Sequence, residues 1–208
     1  APTSWCWDAA TRRPCSPRYA LKVNLVIFPL IETKRLFLCN LGESDADEIL
    51  SLFSDCQVIR YYDLSSFSSI DEARQIIELF RSRYENRTGI RWGIRRRDTN
   101  ELIGTCGFNS WSEKFKNASI GYDLKSSFWG NGYASEAVKS VLEYGFAGAL
   151  ACGTLNRVQA DTVPGNIASE KLLIRLGFVE KGIRREAGFW KNEFHDLKCF
   201  GLLRAEFK

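Results

Sequence analysis

The sequence predicts one α/β domain of mixed type, and three observations carry that prediction. At 208 residues the chain has the length of a single domain with enough substance to bury a real core. Its hydrophobic share of 45% and charged share of 26% are those of an ordinary globular protein. The stretch from Ser119 to Val138, SIGYDLKSSFWGNGYASEAV, passes from strand to turn to helix with almost no residues to spare.

The first thirty residues stand apart from that pattern. Pro2, Pro14 and Pro17 with Trp5 and Trp7 show neither a strand nor a helix period. Val23 to Leu30 is apolar but short, and nothing near it resembles a small-residue cleavage site, so no signal peptide is expected. Residues 1–30 read as a vector- or upstream-derived extension outside the fold, and 31–208 as the domain. The chain has no methionine, position 1 included, which implies processing, tagging or editing relative to its translation product.

From Ile31 the elements follow in order. Ile31 to Leu41 (IETKRLFLCNL) predicts a strand. Ser44 then caps a helix whose first turn holds Asp45, Asp47 and Glu48, where negative charge suits the helix dipole. A second helix runs from about Ser69 to Asn86, with Ala73, Ile76, Ile77 and Phe80 on one face. Gly89 to Arg96 and Glu101 to Trp111 predict a hairpin turning at Asp98-Thr99-Asn100. Arg91, Arg95, Arg96 and Arg97 make it locally basic and read as a solvated end, with contact to an acidic substrate as the alternative.

Ala118, Ile120, Tyr122 and Leu124 then alternate with Ser119, Gly121 and Asp123, the period of a half-buried strand. Ser126, Ser127, Gly130 and Gly132 interrupt it, and Ala134, Ala137, Val138, Val141 and Leu142 resume at helical spacing. Leu155 to Thr162 is another strand, Pro164-Gly165 turns the chain into a helix over 166–176, and Gly177 ends that helix as a C-cap. Phe178 to Arg185 and Asn192 to Leu203 close the chain as strands. The order is βααβββαβαββ, with no repeat and no low-complexity linker.

A glycine-containing loop at a helix start offers unpaired N–H groups and the positive end of a dipole, which together make an anion site. Two familiar phosphate loops do not fit. The dinucleotide fingerprint needs a third glycine or alanine where Ser135 stands, and the P-loop needs Lys-Ser/Thr where Tyr133-Ala134 follow. The remaining counts exclude more. A net charge of +4, three of it in residues 1–30, does not suggest a nucleic-acid binder, and no apolar run approaches a membrane span. Seven dispersed cysteines without CxxC spacing fit reduced thiols in a cytoplasmic setting rather than a disulfide frame or zinc site. His195 is the single histidine, so no multi-histidine metal site is expected.

The loop GYDLKSSFWGNGYASEAV resembles the pyrophosphate loop of the GNAT N-acetyltransferases, Gln/Arg-x-x-Gly-x-Gly/Ala, with Gly130 and Gly132 at the glycine positions and Ser127 departing at the first. NIASEKLLIRLGF (166–178) and the tail GFWKNEFHDLKCFGLL are similar to segments of the RimJ/RimL branch, and with ETKRLFL the resemblance spans roughly residues 31–205. It implies a GNAT-like domain, a central twisted, mostly antiparallel sheet flanked by helices, with two strands splayed at the cofactor site. The implied cosubstrate is acetyl-CoA, without a metal. Asp123 and Leu124 would offer backbone to pantetheine, and Phe128, Trp129, Gly130, Asn131, Gly132, Tyr133 and Ala134 would hold the pyrophosphate. Gly121 would allow close approach to the strand.

Asn166 is a helix N-cap, a pantetheine contact, or both. Ser169 matches the family serine that protonates the departing thiolate. Ser119 and Gly188 stand where relatives carry a glutamate base; strand alternation puts Glu186 on the face of Gly188 and makes it the candidate base, ahead of Tyr122 and Asp123. The expected reaction is direct acetyl transfer to a primary amine, on a protein N-terminus or a small molecule, by a monomer or homodimer without nucleic-acid or membrane partners. A non-catalytic acyl-CoA-binding sensor and a nucleotide-binding module using the same loop are the rivals, the latter disfavoured by the absent third glycine and P-loop lysine.

Overall fold

The computed structural model describes residues 28–208. Strands β1 (Ile31–Glu32), β2 (Leu36–Cys39), β3 (Ile90–Arg96), β4 (Leu102–Ser112), β5 (Asn117–Leu124), β6 (Arg157–Thr162), β7 (Val179–Trp190) and β8 (Glu193–Leu203) form one sheet. Their order across it is β1-β2-β3-β4-β5-β6-β8-β7. Helices α1 (Ala46–Ser54), α2 (Ile70–Glu85), α3 (Tyr133–Phe146) and α4 (Ile167–Arg175) cover it on both faces. The single α/β domain with a mostly antiparallel sheet is therefore as the sequence predicts.

Two apolar layers sandwich the sheet. Trp92, Phe108, Ile120 and Val158 meet Val138, Val141 and Leu142 of α3 and Leu173 of α4 on one face. Leu41 and Leu102 meet Ile49, Leu52 and Phe53 of α1 and Ala73, Ile77 and Phe80 of α2 on the other. Alternation along β5 sends Ala118 and Ile120 to the α3 layer and leaves Ser119, Gly121 and Asp123 facing the α1–α2 side.

Among the described strands, β5 and β6 make the parallel junction. Their register holds at Asn117↔Arg157, Ala118↔Val158 and Ser119↔Gln159 and then ends. β5 continues to Leu124 and β6 to Thr162 without pairing with each other. The sheet opens there, as the splay expected from the resemblance.

Some expectations are corrected at the N-terminal end. The first strand is two short ones, because Thr33 closes a tight turn: its N–H donates to Leu36 O at 3.0 Å and its Oγ1 accepts from Leu36 N at 2.9 Å. Ser44 does not cap α1. A short turn over Glu43–Asp45 precedes the helix, and the Asp45 carboxylate accepts from Gly42 N at 2.9 Å and from Arg95. The basic hairpin is not a solvated end throughout, since Arg91 is buried and Arg95 pairs with Asp45.

Of the predicted extension, residues 1–27 lie outside the described residues. The Phe28 ring packs 4.7 Å from Tyr84 and 6.0 Å from Trp92, and Pro29 O accepts from Trp92 Nε1 at 2.8 Å. Among the described residues, packing against the sheet thus already includes Phe28 and Pro29, ahead of Ile31. Among the described residues no helix is long and apolar enough to cross a membrane.

Candidate active site

The site is built on the unpaired edge of β5. Lys125 N donates to Ile103 O at 2.9 Å, which fixes the phase of the antiparallel β4–β5 ladder. With Asp123 opposite Thr105 and Leu124 opposite Gly104, Gly121 and Asp123 turn their backbone groups toward β4. Ile120 turns its N–H to β6 at the last pair, and Tyr122 and Leu124 turn theirs toward the gap that follows. Leu124 O is already taken by Trp129 Nε1 at 2.8 Å. With that carbonyl occupied, Leu124 turns only its N–H to the gap, whereas Asp123 turns its backbone to β4.

The loop beyond β5 is held from three sides. Ser126 Oγ donates to Asp55 Oδ2 at 2.5 Å, Trp129 is tied back to Leu124, and Asn131 Nδ2 donates to Trp129 O at 3.1 Å and Phe128 O at 3.3 Å. Gly130 and Gly132 both have φ of +78°, a left-handed conformation that side chains other than glycine's resist. Gly132 is the N-cap of α3 and has no side chain to cap with, so the first-turn N–H groups of Tyr133, Ala134 and Ser135 keep no intrahelical acceptor. Arg35 braces this turn. Its Nη1 donates to Asn131 O at 2.9 Å, its Nε to Glu136 Oε2 at 2.6 Å, and its guanidinium lies 4.5 Å over the Tyr133 ring. Burial works against the Glu136 charge, but hydrogen bonds from Thr33 and Arg35 outweigh it and hold the carboxyl below its usual range. The result is a helix start with free N–H groups and a cation beside it, an arrangement whose charge suits an anion.

Inside the gap, Tyr122 OH and Ser169 Oγ are 2.7 Å apart. Burial pushes the Tyr122 hydroxyl well above its ordinary value, with the Ser169 hydrogen bond pulling the other way, so the phenol stays protonated. Asn166 caps α4 by accepting from Ser169 N at 3.3 Å through Oδ1. A proton-bearing pair thus stands on the α3–α4 face of the opening.

The opposite face carries a buried polar network the sequence did not disclose. Arg91 and Asp123 form an ion pair with side chains 3% and 2% exposed. Thr105 Oγ1 accepts from Arg91 Nε at 2.9 Å and donates to Asp123 Oδ2 at 2.9 Å; Tyr62 OH donates to the same oxygen at 3.4 Å, and Arg91 Nη1 donates to Asn109 Oδ1 at 3.0 Å. Burial works to raise Asp123 and Arg91 opposes it; burial also disfavours the Arg91 charge, and Asp123 outweighs that and keeps Arg91 protonated. Asp123 is thereby occupied and is no free base. Gly121 serves this network as well: a Cβ there would lie 2.7 Å from both Arg91 Nη1 and Asn109 Nδ2. Its bareness makes room for those side chains at the cleft wall.

Glu186 is not brought to this place. Between Arg184 and Gly188 the β7–β8 register slips, and Glu186 adopts φ of +50° with its N–H donating to Asp196 Oδ1 at 2.8 Å. The bulge breaks the two-residue alternation that put Glu186 beside Gly188, and the side chain is exposed outside the cleft lining.

The cleft itself, about 970 Å³, joins all these parts and is lined by residues of β5, the loop, β6, α4 and the segment before α2. That segment roofs it: Tyr61 OH donates to Gly165 O at 3.1 Å, and Lys191 Nζ at the β7–β8 turn donates to Ile59 O at 2.8 Å.

Comparison with known proteins bears on this geometry. The family model described as Acetyltransferase (GNAT) domain matches residues 35–179. The chain is 39% identical over 178 residues to Uncharacterized N-acetyltransferase YoaA of Bacillus subtilis, covering 86% of this chain and 98% of that one. It is 36% identical over 175 residues to Uncharacterized N-acetyltransferase p20 of Bacillus licheniformis, covering 84% and 96%. Among solved structures, RimL, a ribosomal alpha-N-protein acetyltransferase in complex with coenzyme A, superposes with a TM-score of 0.74 at 22% identity over 84% of this chain and 98% of that one, a likeness of fold.

Proposed function

Because the chain belongs to the GNAT acetyltransferase family, we propose that it is an acetyl-CoA-dependent N-acetyltransferase. It moves the acetyl group directly to a primary amine while both substrates are bound. One observation carries this reading: the gap between β5 and β6 joins the anion cradle of Gly130–Ala134 to the Tyr122–Ser169 hydroxyl pair.

Each part has a task. The cradle and the α3 N-terminus hold the pyrophosphate, through Phe128, Trp129, Gly130, Asn131, Gly132, Tyr133 and Ala134, with Arg35 beside them. The backbone groups of Tyr122, beyond the last β6 pair, bond the pantetheine arm as an added strand would. One strand N–H of this edge is a fixed donor for the oxyanion of the tetrahedral state. Ser169 gives its proton to the departing thiolate, and the protonated Tyr122 phenol beside it restores that proton. Direct transfer needs no cysteine: Cys106 is buried with its thiol pushed up by burial to about 12, and no cysteine stands in the loop or in α4. The acceptor is a primary amine, from a protein N-terminus or a small molecule, reaching the gap from the roofed side.

Calorimetry with acetyl-CoA followed by thiol release in the presence of an amine panel tests the reading. Binding and amine-dependent thiol release are expected. Ser169→Ala should lower kcat while leaving acetyl-CoA affinity nearly unchanged, because the hydroxyl serves only the departing thiolate. Binding without release for any amine would leave an acyl-CoA sensor in place of an enzyme.

A further inference from the structure

We propose that Asp161 on β6 is the proton acceptor for the attacking amine; this rests on the acetyltransferase reading above. Residues paired across neighbouring strands carry their side chains on the same face of the sheet. Ser119↔Gln159 is the last pair before β5 and β6 part, so Asp161, two residues on, shares the face of Ser119, Gly121 and Asp123. That is the α1–α2 face, opposite the pair that Tyr122 of β5 makes with Ser169 of α4. The proton donor for the leaving group and Asp161 therefore flank the gap from its two sides, as attack and departure at one carbonyl carbon require.

Three carboxylates line the cleft among the described residues: Asp63, Asp123 and Asp161. Asp123 is enclosed by Arg91, Thr105 and Tyr62. Asp63 is exposed on the roof segment, away from the strands. Asp161 stands at the gap with its side chain 28% exposed. Arg184 of β7 orients it by donating from Nη2 to Oδ2 at 2.6 Å, and Cys199 of β8 accepts from Arg184 Nε at 3.1 Å. Oδ1 has no hydrogen bond to a described residue and is left for the amine. Arg60 and Asp63 of the roof and Asp123 of β5 are the other charged groups that line the cleft on this side.

In the step, the neutral amine nitrogen forms the N–C bond to the acetyl carbonyl carbon and the C–S bond breaks. The nitrogen's proton passes to Asp161 Oδ1, and the thiolate takes one proton from Ser169. One proton is taken up by the protein and one given, and exchange with solvent resets both groups.

The test compares wild type with Asp161→Asn, Asp161→Ala, Asp161→Glu and Asp63→Asn, each checked for melting temperature and for acetyl-CoA affinity by calorimetry. Asp161→Asn should lower kcat about 100-fold or more, the lower range for loss of a general base, with amine KM and acetyl-CoA affinity within about threefold of wild type. Asp161→Glu should recover part of the rate, and added formate should do the same in Asp161→Ala by replacing the missing carboxylate. A wild-type kcat in Asp161→Asn overturns the proposal. So does a rise in amine KM alone, which would make Asp161 an amine-binding group, and so does the same kcat loss appearing in Asp63→Asn instead. Failure of the wild-type chain to bind acetyl-CoA or to release thiol with any amine overturns the enzyme reading itself, and the two failures are thereby told apart.

Discussion

Asp123 and Asn166 show how single residues divide between holding the fold and serving the cleft. Asp123→Asn keeps the shape of the side chain but leaves the buried Arg91 charge without its counter-ion. Breaking such a pair from one side costs about 3–5 kcal/mol, so chemical denaturation should show a loss of that order while the cradle residues are untouched. Asn166 uses only its carbonyl oxygen in capping α4. Asn166→Asp should therefore keep stability to well under ~1 kcal/mol, since both residues cap about equally well. The aspartate cannot donate, however, and acetyl-CoA should bind markedly more weakly if the amide N–H reaches a pantetheine carbonyl. Equal affinity in wild type, Asn166→Asp and Asn166→Ala, with stability lost only in the alanine variant, would leave Asn166 as a cap alone.

At the scale of elements, the loop between β5 and α3 is a conformational requirement before it is a binding one. A Cβ at Gly130 would meet nothing within 4 Å, and one at Gly132 would come no nearer than 3.5 Å to Arg35 Nη2. Crowding is thus not the obstacle to substitution; the φ of +78° at both positions is. Gly132→Val should rebuild the turn, misdirect the N–H groups and weaken acetyl-CoA binding at least tenfold, about 1.4 kcal/mol, in a protein that remains folded. Unchanged affinity by calorimetry would remove the phosphate role from this loop. The loop was legible in the sequence because glycine spacing and a change of period are local signals. So were β3, β4, β5 and the Asn166 cap. Contacts between distant segments were not. Nothing in the string pairs Arg91 with Asp123, brings Arg35 to Asn131, or sets Tyr122 against Ser169. Glu186 was misplaced for a related reason: alternation holds only in a regular strand, and no residue between Arg184 and Gly188 announces the bulge.

For the whole molecule, the boundary of the domain is the testable quantity. The fold is proposed to be independent of residues 1–27, whereas Phe28 and Pro29 belong to its packing through Tyr84 and Trp92. Deletion of 1–27 should leave melting temperature and acetyl-CoA affinity nearly unchanged. Extending the deletion through Leu30 takes the acceptor from Trp92 Nε1, and an unsatisfied buried donor costs about 1–3 kcal/mol. A large loss on the shorter deletion would show that the extension packs into the domain; no added loss on the longer one would move the boundary back toward Ile31.

The phase of the β4–β5 ladder has a consequence on the time axis. Gly121 and Asp123 point their amides at β4, whereas Tyr122 and Leu124 point theirs at the gap. In deuterated solvent a central strand would then trade its hydrogens at two interleaved speeds, slow at 121 and 123, fast at 122 and 124, although Leu124 is buried like Asp123. Addition of acetyl-CoA should slow the fast set and leave the slow set where it was, so that the comb pattern fades into one uniform rate. A uniform rate before ligand, or a comb that persists after saturation, would mean that the cosubstrate does not lie along this edge.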